Sequence, residues 1–321
     1  MVQSSGGSTK SVIVVVLVVA IIASAYLFYM RDLGDSPISP GTYTDHEPIV
    51  ILSDYELAQQ ALLNEWNGNG TCNNPFIIEG LKIVTEGRHC IKIENVIEYH
   101  FMVRNCHLIA LHEALGVCIK IYHCTNGAVE NCTMETGYLG ADIFESSDCR
   151  VSNCNISGVG SGVNLTKTER ILVDKNWVED CWWALMLFDA HVTTVSNNHI
   201  TSSEVGLNSH FSSYTYLDNN AIIDNLMGLN TENSCMNWTI TNCSVLNNTE
   251  TGIKLTATTE NFIIFRNQIG WNGMNARDDG FLNKWDDGDS YGNAWSDYSG
   301  SGLYIIPGSS GSVDNSPSIL V

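Results

Sequence analysis

Apolar residues recur along this chain in short segments that alternate with polar positions and return every 22 residues. One such segment has an apolar residue, a residue of varied polarity, and a third residue that is usually apolar. It occurs at 119–121, 141–143, 163–165, 185–187, 207–209 and 229–231. Further copies occur 28 residues before the first, at 91–93, and 24 residues after the last, at 253–255. A fixed interval that tolerates insertions is typical of a repeat architecture.

Two further columns follow within each repeat, and each has the period of two that extended strands require. The second column includes Val151, Val173, Val195 and Leu217. The third column holds Asn or Cys and has an aliphatic residue two places on. Such a unit cannot bury its apolar side chains alone, but stacked copies form a continuous core. We therefore predict an all-β fold, a right-handed parallel β-helix of three-strand coils, with about 22 residues per coil and eight or so coils.

Two other repeat architectures fit the pattern less well. Paired-helix repeats need apolar spacings of three and four, which the period of two contradicts. Leucine-rich repeats share the length but carry one strand per repeat. The three-strand coil therefore fits the pattern best.

The third column predicts a ladder of side chains inside one turn of the coil. Asn residues at equivalent turns can bond to one another through their amides, and Cys can replace Asn as a small buried residue. The 11 cysteines follow the repeat rather than any metal-ligand spacing. They predict packed thiols, with a Cys106–Cys132 or Cys132–Cys154 disulfide as the alternative.

The segments outside the repeats predict an anchor and two caps. Residues 11–30 run without a charge for 20 residues, which is enough to span a bilayer, whereas cleavage after Ala25 would yield a secreted protein. Ser53 followed by Glu56 predicts a capping helix. The predicted order is a cytoplasmic segment 1–10, a transmembrane helix 11–30, a linker 31–48, an N-terminal cap 49–74, the β-helix 75–272 and a C-terminal cap 273–321. The main domain is then extracellular.

A family resemblance rests on three features of these regions. They are "GNGTCNNPFIIEGLKI" (68–83), the Asn-Cys and Asn-Asn turns of the coils, and "GNAWSDYSGSGLYIIPGSSGSVDNSP" (292–317). Together they resemble archaeal surface proteins built from right-handed parallel β-helix repeats, grouped with the NosD-like and the carbohydrate-binding and sugar-hydrolase repeats. The resemblance covers residues 48–316. It implies the fold and the capping style, but no single chemistry, because the group mixes enzymes, binding proteins and proteins of no known activity.

Charge narrows the range of partners. The chain has 15 Lys and Arg against 35 Asp and Glu, a net charge of −20. Such a surface repels nucleic acid phosphates and anionic lipids. We predict no nucleic acid partner, with the membrane reached through residues 11–30 alone.

Candidate catalytic groups are few. Sugar hydrolases use two carboxylates about 5 to 9.5 Å apart. Glu145 and Asp189 fall in one turn column two coils, or roughly 10 Å, apart, with Lys167 between them. A salt-bridged ladder explains this alternation without catalysis. The candidates for acid–base chemistry are Glu145, Asp189, His191 and His210.

Candidate metal ligands occur only near the C-terminus. Two Asp-Asp-Gly runs supply Asp278, Asp279, Asp286 and Asp287. Carboxylate oxygens of this kind bind calcium, although tight turns favour the same residues. No other cofactor is predicted.

A glycan-binding surface is the third kind of candidate, because aromatic rings beside amides form platforms for sugar rings. The predicted ligand residues are Trp182, Asp142, Asn164, Phe188, Asn208 and His210. We favour a membrane-anchored extracellular module that binds glycan or another surface ligand without catalysis. A polysaccharide hydrolase or lyase and a structural spacer of the cell surface are the alternatives.

Overall fold

The computed structural model describes residues 43–321. The predicted transmembrane helix 11–30 and the segment before it lie outside the described residues. Within the described part of the chain, no helix has the length and apolar character needed to cross a membrane.

The described chain is a right-handed parallel β-solenoid of about 11 coils, which confirms the predicted all-β architecture. Strands are numbered in chain order, and each coil places one strand in each of three sheets, A, B and C.
Sheet A contains β1 (Thr44–Asp45), β4 (Leu81–Thr85), β7 (His107–Ala110), β10 (Thr133–Glu135), β13 (Asn155–Ser157), β16 (Trp177–Glu179), β19 (His199–Thr201), β22 (Ala221–Ile223), β25 (Ser244–Leu246), β28 (Gln268–Gly270), β30 (Ala294–Trp295) and β33 (Ser318–Ile319).
Sheet B contains β2 (Ile49–Ile51), β5 (His89–Glu94), β8 (Val117–Tyr122), β11 (Leu139–Phe144), β14 (Ser161–Glu169), β17 (Trp183–His191), β20 (Val205–His210), β23 (Met227–Glu232), β26 (Thr251–Leu255) and β29 (Met274–Asp278).
Sheet C contains β3 (Phe76–Glu79), β6 (Phe101–Arg104), β9 (Gly127–Glu130), β12 (Arg150–Ser152), β15 (Leu172–Asp174), β18 (Thr194–Ser196), β21 (Tyr216–Asp218), β24 (Thr239–Thr241) and β27 (Ile263–Phe265).
A separate antiparallel pair joins β31 (Tyr304–Ile305) to β32 (Val313–Asp314).

The vertical files of the core have the predicted register. In sheet C, Val151 pairs with Val173, Val173 with Val195 and Val195 with Leu217. In sheet B, each copy of the apolar triplet lies directly above the next. Like side chains therefore stack on like, which is how short strands fill a continuous interior.

The coil number exceeds the eight counted from the repeat. At the front, β2 pairs with β5 and β1 pairs with β4. At the rear, β29, β30 and β33 extend the sheets past the last regular repeat. Insertions separate β1, β2 and β30 from their partner strands, so these end strands lack the 22-residue interval. Residues 44–45, which the sequence assigned to the linker, belong to β1.

The predicted Asn ladder is present in the turn between sheets C and A. Asn176 Nδ2 donates to Asn198 Oδ1 and Asn198 Nδ2 to Asn220 Oδ1, each at 2.9 Å. Each amide also donates to a buried carbonyl oxygen of sheet C, such as that of Val173. A second ladder, not predicted, joins Asn225, Asn248 and Asn272 in the turn between sheets A and B.

The cysteines fill the same files as small apolar residues. Ten of them are buried and carry free thiols, as the prediction of packed thiols required: Cys90, Cys106, Cys118, Cys124, Cys132, Cys149, Cys154, Cys181, Cys235 and Cys243. Neither the Cys106–Cys132 nor the Cys132–Cys154 disulfide forms. Burial raises the pKa of the Cys149 and Cys181 thiols to about 12.

Both ends of the stack are covered. At the front, helix α1 (Asp54–Leu63) begins after Ser53, whose Oγ accepts the Glu56 amide at 3.2 Å. At the rear, the indoles of Trp285 and Trp295 are fully buried, and the ring of Tyr304 stacks on Trp295 at 4.0 Å between centroids. These elements shield strand edges that would otherwise pair with other molecules.

Candidate functional site

The predicted ligand residues do not converge on one surface. Trp182 lies in the turn that leads into β17, whereas Phe188 lies near the other end of that strand. Six residues of extended chain span about 20 Å. Phe188 instead neighbours His210, with 6.0 Å between ring centroids. The six predicted residues therefore lie on two separate parts of the solenoid surface.

The polar members of the set bond to one another on the outer face of sheet B. Asp142 is only 4% exposed, and its carboxylate accepts hydrogen bonds from Lys120 Nζ and, at 2.8 Å, from Asn164 Nδ2. Asn208 Nδ2 lies 3.1 Å from His210 Nε2, and Asn208 Oδ1 accepts from Asn230 at 2.9 Å. These groups form a row of hydrogen bonds across neighbouring strands, which supports the sheet. Their hydrogen-bonding capacity is largely used within the protein.

Trp182 instead lies in a groove of about 850 Å³ at the turn between sheets A and B. We call this depression the Trp182 groove. It crosses several successive coils. Its lining residues are Glu113, Thr136, Gly137, Tyr138, Gly158, Val159, Gly160, Asp180, Cys181, Trp182, Ser202, Ser203, Glu204, Asp224, Asn225, Leu226 and Thr249.

One vertical file of residues forms the rim of the groove. The backbone carbonyl oxygens of Tyr138, Gly160, Trp182 and Glu204 each accept a hydrogen bond from the next coil, which places the four residues one above another. The Trp182 side chain is 57% exposed and that of Tyr138 is 39% exposed. Two aromatic rings thus face solvent two coils, or about 10 Å, apart.

Gly160 creates the gap between those rings. A Cβ atom at this position would lie 2.7 Å from the Tyr138 carbonyl oxygen and 3.3 Å from the Tyr138 ring. A side chain here would therefore press on Tyr138 and fill the space between the two platforms.

The groove carries uncompensated negative charge. Glu113, Asp180, Glu204 and Asp224 are all exposed along it. Across residues 43–321, none of their carboxylates has a hydrogen bond or an ion pair. Of the described residues that line the groove, none is basic. The site is therefore aromatic and acidic.

The candidate catalytic carboxylates occupy a different turn and already have partners. Glu145 accepts a hydrogen bond from Lys167 Nζ at 3.0 Å, and this contact lowers the pKa of Glu145 below its ordinary value. Asp189 Oδ1 lies 3.0 Å from His191 Nε2. Glu145 and Lys167 line a smaller depression of about 370 Å³. A general acid needs a raised pKa, which Glu145 does not have.

The C-terminal aspartates make the contacts of turn and cap residues. Asp278 is fully buried and accepts hydrogen bonds from Trp285 Nε1 and Ser312 Oγ. Asp287 Oδ1 accepts three backbone amides, Asp286 accepts those of Gly288 and Asn315, and Asp279 pairs with Arg277. In the part of the chain that the structure covers, no three His, Cys, Asp or Glu side chains form a group that could hold a metal ion.

Sequence reasoning missed most of the Trp182 groove. Trp182 was among the predicted ligand residues, but Asp180, Glu204 and Asp224 were not. The signal was present, because Tyr138, Gly160, Trp182, Glu204 and Leu226 follow one another at the repeat interval of 22. This file lies in a turn rather than in an apolar column, so strand periodicity does not reveal it.

Comparisons with known proteins agree with this architecture. Residues 94–300 match the family model described as "Periplasmic copper-binding protein (NosD)". No curated protein matches the chain.

Similar solved structures include three large β-helix proteins. The A-module of mannuronan C-5 epimerase AlgE4 from Azotobacter vinelandii has 13% identity and a TM-score of 0.53, covering 71% of this chain and 74% of that one. The Dettilon tailspike protein has 12% identity and a TM-score of 0.54, covering 79% and 59%. The enzymatically active domain of tailspike protein 2 of bacteriophage CBA120 has 10% identity and a TM-score of 0.51, covering 87% and 47%. Likeness at these identities shows the fold alone.

Proposed function

This chain belongs to the NosD family of parallel β-helix proteins, and from that premise we propose that it is an extracytoplasmic glycan-binding module. The family description names a periplasmic protein, which supports a location outside the cytoplasm. We propose residues 11–30 as the membrane anchor, with cleavage after Ala25 and secretion as the alternative.

The observation that carries the proposal is the paired aromatic platform of the Trp182 groove. The exposed Trp182 and Tyr138 rings flank the gap at Gly160 on one edge of the solenoid. Sugar rings pack their apolar faces on such side chains, while nearby carboxylates accept bonds from hydroxyl groups. A site that crosses several coils suits an extended oligosaccharide. The mannuronan C-5 epimerase, which is named for a polysaccharide, is a precedent for a glycan ligand on this fold.

Copper does not enter the proposal, because the described residues do not fit a copper site. Copper binding by cysteine needs thiolates in a shared cluster. Burial raises the pKa of Cys149 and Cys181 to about 12, so metal binding at these thiols would have to overcome the cost of releasing their protons. Residues 43–321 likewise hold no group of three or more His, Cys, Asp or Glu side chains that could bind a metal ion.

Glycan hydrolysis in the same groove is the second candidate function. Asp180 and Glu204 lie on successive coils, and carboxylates about 5 to 9.5 Å apart perform this reaction. We rank it second because neither carboxylate has a hydrogen-bonded neighbour that would set its protonation. The pair Glu145 and Asp189 is less suited, since Lys167 and His191 already occupy it.

The test combines a glycan array with a reducing-sugar assay on the full-length protein in a mild detergent. Trp182→Ala should weaken glycan binding about fivefold to tenfold, because stacking on one ring is lost. Trp177→Ala is the matched control: its ring is also exposed, but it stacks on His199 of sheet A, outside the groove. Release of reducing ends would favour hydrolysis. Binding to no glycan would support the structural spacer and contradict the proposal.

A further inference from the structure

We infer that the Trp182 groove selects saccharides that carry free amino groups and rejects polyuronates. This inference rests on the proposed glycan-binding function and adds the chemical class of the ligand. It follows from the charge of the groove rather than from its shape.

Some carboxylates elsewhere on the solenoid pair with cations of the protein. Lys120 pairs with Asp142, Lys167 with Glu145 and Arg170 with Asp148, each across one coil. These ion pairs connect neighbouring coils, and the paired carboxylates are less available to a ligand. The groove collects four carboxylates that face solvent without a cation among the described residues.

Three of the four carboxylates lie near Trp182 in the repeat. Asp180 precedes Trp182 by two residues, and Glu204 follows Trp182 one coil later in the same file. Asp224 lies two coils after Asp180 in the file of Asp180. A protonated amine on a sugar stacked at Trp182 can reach these carboxylates, and the indole face itself attracts a cation. A neutral sugar gains only the stacking contact.

A uronate ligand meets repulsion in the same place. Each of its carboxylates would enter a concave surface of like charge, on a protein with a net charge of −20. The groove offers uronates no Lys, Arg or His from the described lining. The fold is shared with a mannuronan epimerase, but the charge of this groove is opposite to what an anionic polymer needs.

The experiment compares four probes on the full-length protein at mildly acidic pH, where sugar amines are protonated. They are the hexamers of glucosamine, N-acetylglucosamine, galacturonic acid and lysine, and affinity is measured by calorimetry at low and high salt, with and without calcium. The glucosamine hexamer should bind about tenfold more tightly than its acetylated counterpart, since several exposed ion pairs add together. Salt should remove most of that advantage.

A charge-neutral variant assigns the preference to the groove. The triple substitution Asp180→Asn, Glu204→Gln and Asp224→Asn should abolish the preference while the acetylated hexamer still binds. Asn tolerates the left-handed backbone of positions 180 and 224, so the turns are kept. The control neutralises three exposed acids near the front cap: Glu65→Gln, Glu86→Gln and Glu98→Gln. It should leave the preference unchanged.

The possible results separate this inference from the proposed function. Equal binding of the amino and acetylated hexamers would overturn the inference and leave glycan binding intact. Uronate binding equal to that of the amine, with or without calcium, would also overturn it. If hexalysine binds as tightly as the glucosamine hexamer, the groove recognises charge alone, and this result would contradict a saccharide ligand. Failure of every probe to bind would count against the proposed function itself.

Discussion

At the scale of single residues, doubled turn residues explain how the coil bends. In the Asn-Asn turns, the first residue adopts a left-handed backbone, with φ of 56° at Asn197 and 55° at Asn219. The second residue points inward and joins the ladder, as Asn198 and Asn220 do. Asn suits both roles, since it tolerates the left-handed region and its amide satisfies buried backbone groups.

Removing one rung should destabilise the solenoid strongly. Asn198 is 2% exposed, and its Oδ1 accepts from both the backbone amide and the side chain of Asn176. Asn198→Ala leaves those donors and the Val173 carbonyl unsatisfied, so the free energy of unfolding should fall by about 2 to 4 kcal/mol. Denaturant melts measure the change. Asn155→Ala is the control, because Asn155 is an exposed strand residue with no side-chain hydrogen bond within the described residues. This substitution should change the free energy of unfolding by less than about 0.5 kcal/mol. Comparable losses in the two variants would contradict the ladder's role.

His89 should make stability depend on pH. Burial, reinforced by the nearby charge of Arg88, lowers the pKa of this half-buried imidazole to about 4, and its Nε2 has no partner in residues 43–321. Between about pH 6.5 and about 4 the unfolded chain binds the proton more readily, so the free energy of unfolding falls as pH is lowered through that window. Allowing for solvent screening of a half-buried ring, the loss is about 1 to 2 kcal/mol.

The test replaces His89 with the residue at the equivalent position of the next coil. His89→Val introduces the residue of its strand partner Val117. In denaturant melts, this variant should show a smaller fall in the free energy of unfolding as the pH is lowered. His112→Val, at an exposed loop position, should leave it in place. An unchanged pH dependence in His89→Val would show that another group is responsible.

At the scale of elements, the strands are too short to be stable by themselves and depend on the register of their neighbours. Most strands of sheets A and C have three or four residues. Each gains stability from a file of like side chains above and below, so the end coils need separate covers. Helix α1 covers the front, and Asp54 connects it to the turn between β5 and β6 by accepting the backbone amides of residues 97–99.

Loss of the Asp54 tie should loosen the front cap. Its carboxylate accepts the Ile97, Glu98 and Tyr99 amides at 3.0 to 3.2 Å. Asp54→Ala should cost about 1 to 3 kcal/mol and speed hydrogen exchange of those three amides. Gln59→Ala, exposed on the same helix, should do neither. Unchanged exchange at residues 97–99 would mean that the tie contributes nothing to the cap.

At the scale of the whole molecule, the solenoid is a stack whose sides are solvated and whose ends need covers. The rear cover continues sheet A through β30 and β33 and holds the last coil with buried hydrogen bonds. Asp314 accepts bonds from the Trp295 indole and the Asn293 amide, and burial raises its pKa. The high negative charge adds repulsion between molecules, which opposes edge-to-edge association.

A chain that ends at residue 272 should associate, because the truncation exposes the edges of β26 and β28. Light scattering after size-exclusion chromatography should show oligomers or loss of soluble protein. A chain lacking residues 1–10, which removes no strand of the described structure, is the control. Identical elution of the truncated and full-length proteins, after allowance for mass, would show that the rear segment is dispensable.

Much of the fold could be predicted from sequence, whereas the candidate site could be predicted only in part. The apolar triplets and the file from Val151 to Leu217 had the expected register, because a period of two and an interval of 22 leave one stacking arrangement. Asp142 was predicted to bind a ligand, but it is buried beside Lys120. The physical reason is that an outward position in a strand can still be covered by the long side chains of adjacent coils.

The coil, its three strands, the Asn ladder between sheets C and A and the capping helix could all be predicted from the amino-acid sequence. Each of these depends on residues close in sequence or repeated at one interval, so local periodicity contains the information. Which exposed side chains share a surface became known from the folded chain alone. It separated Trp182 from Phe188 and joined Trp182 to Tyr138, Asp180 and Glu204, because groove formation depends on how turns of different coils project from the stack.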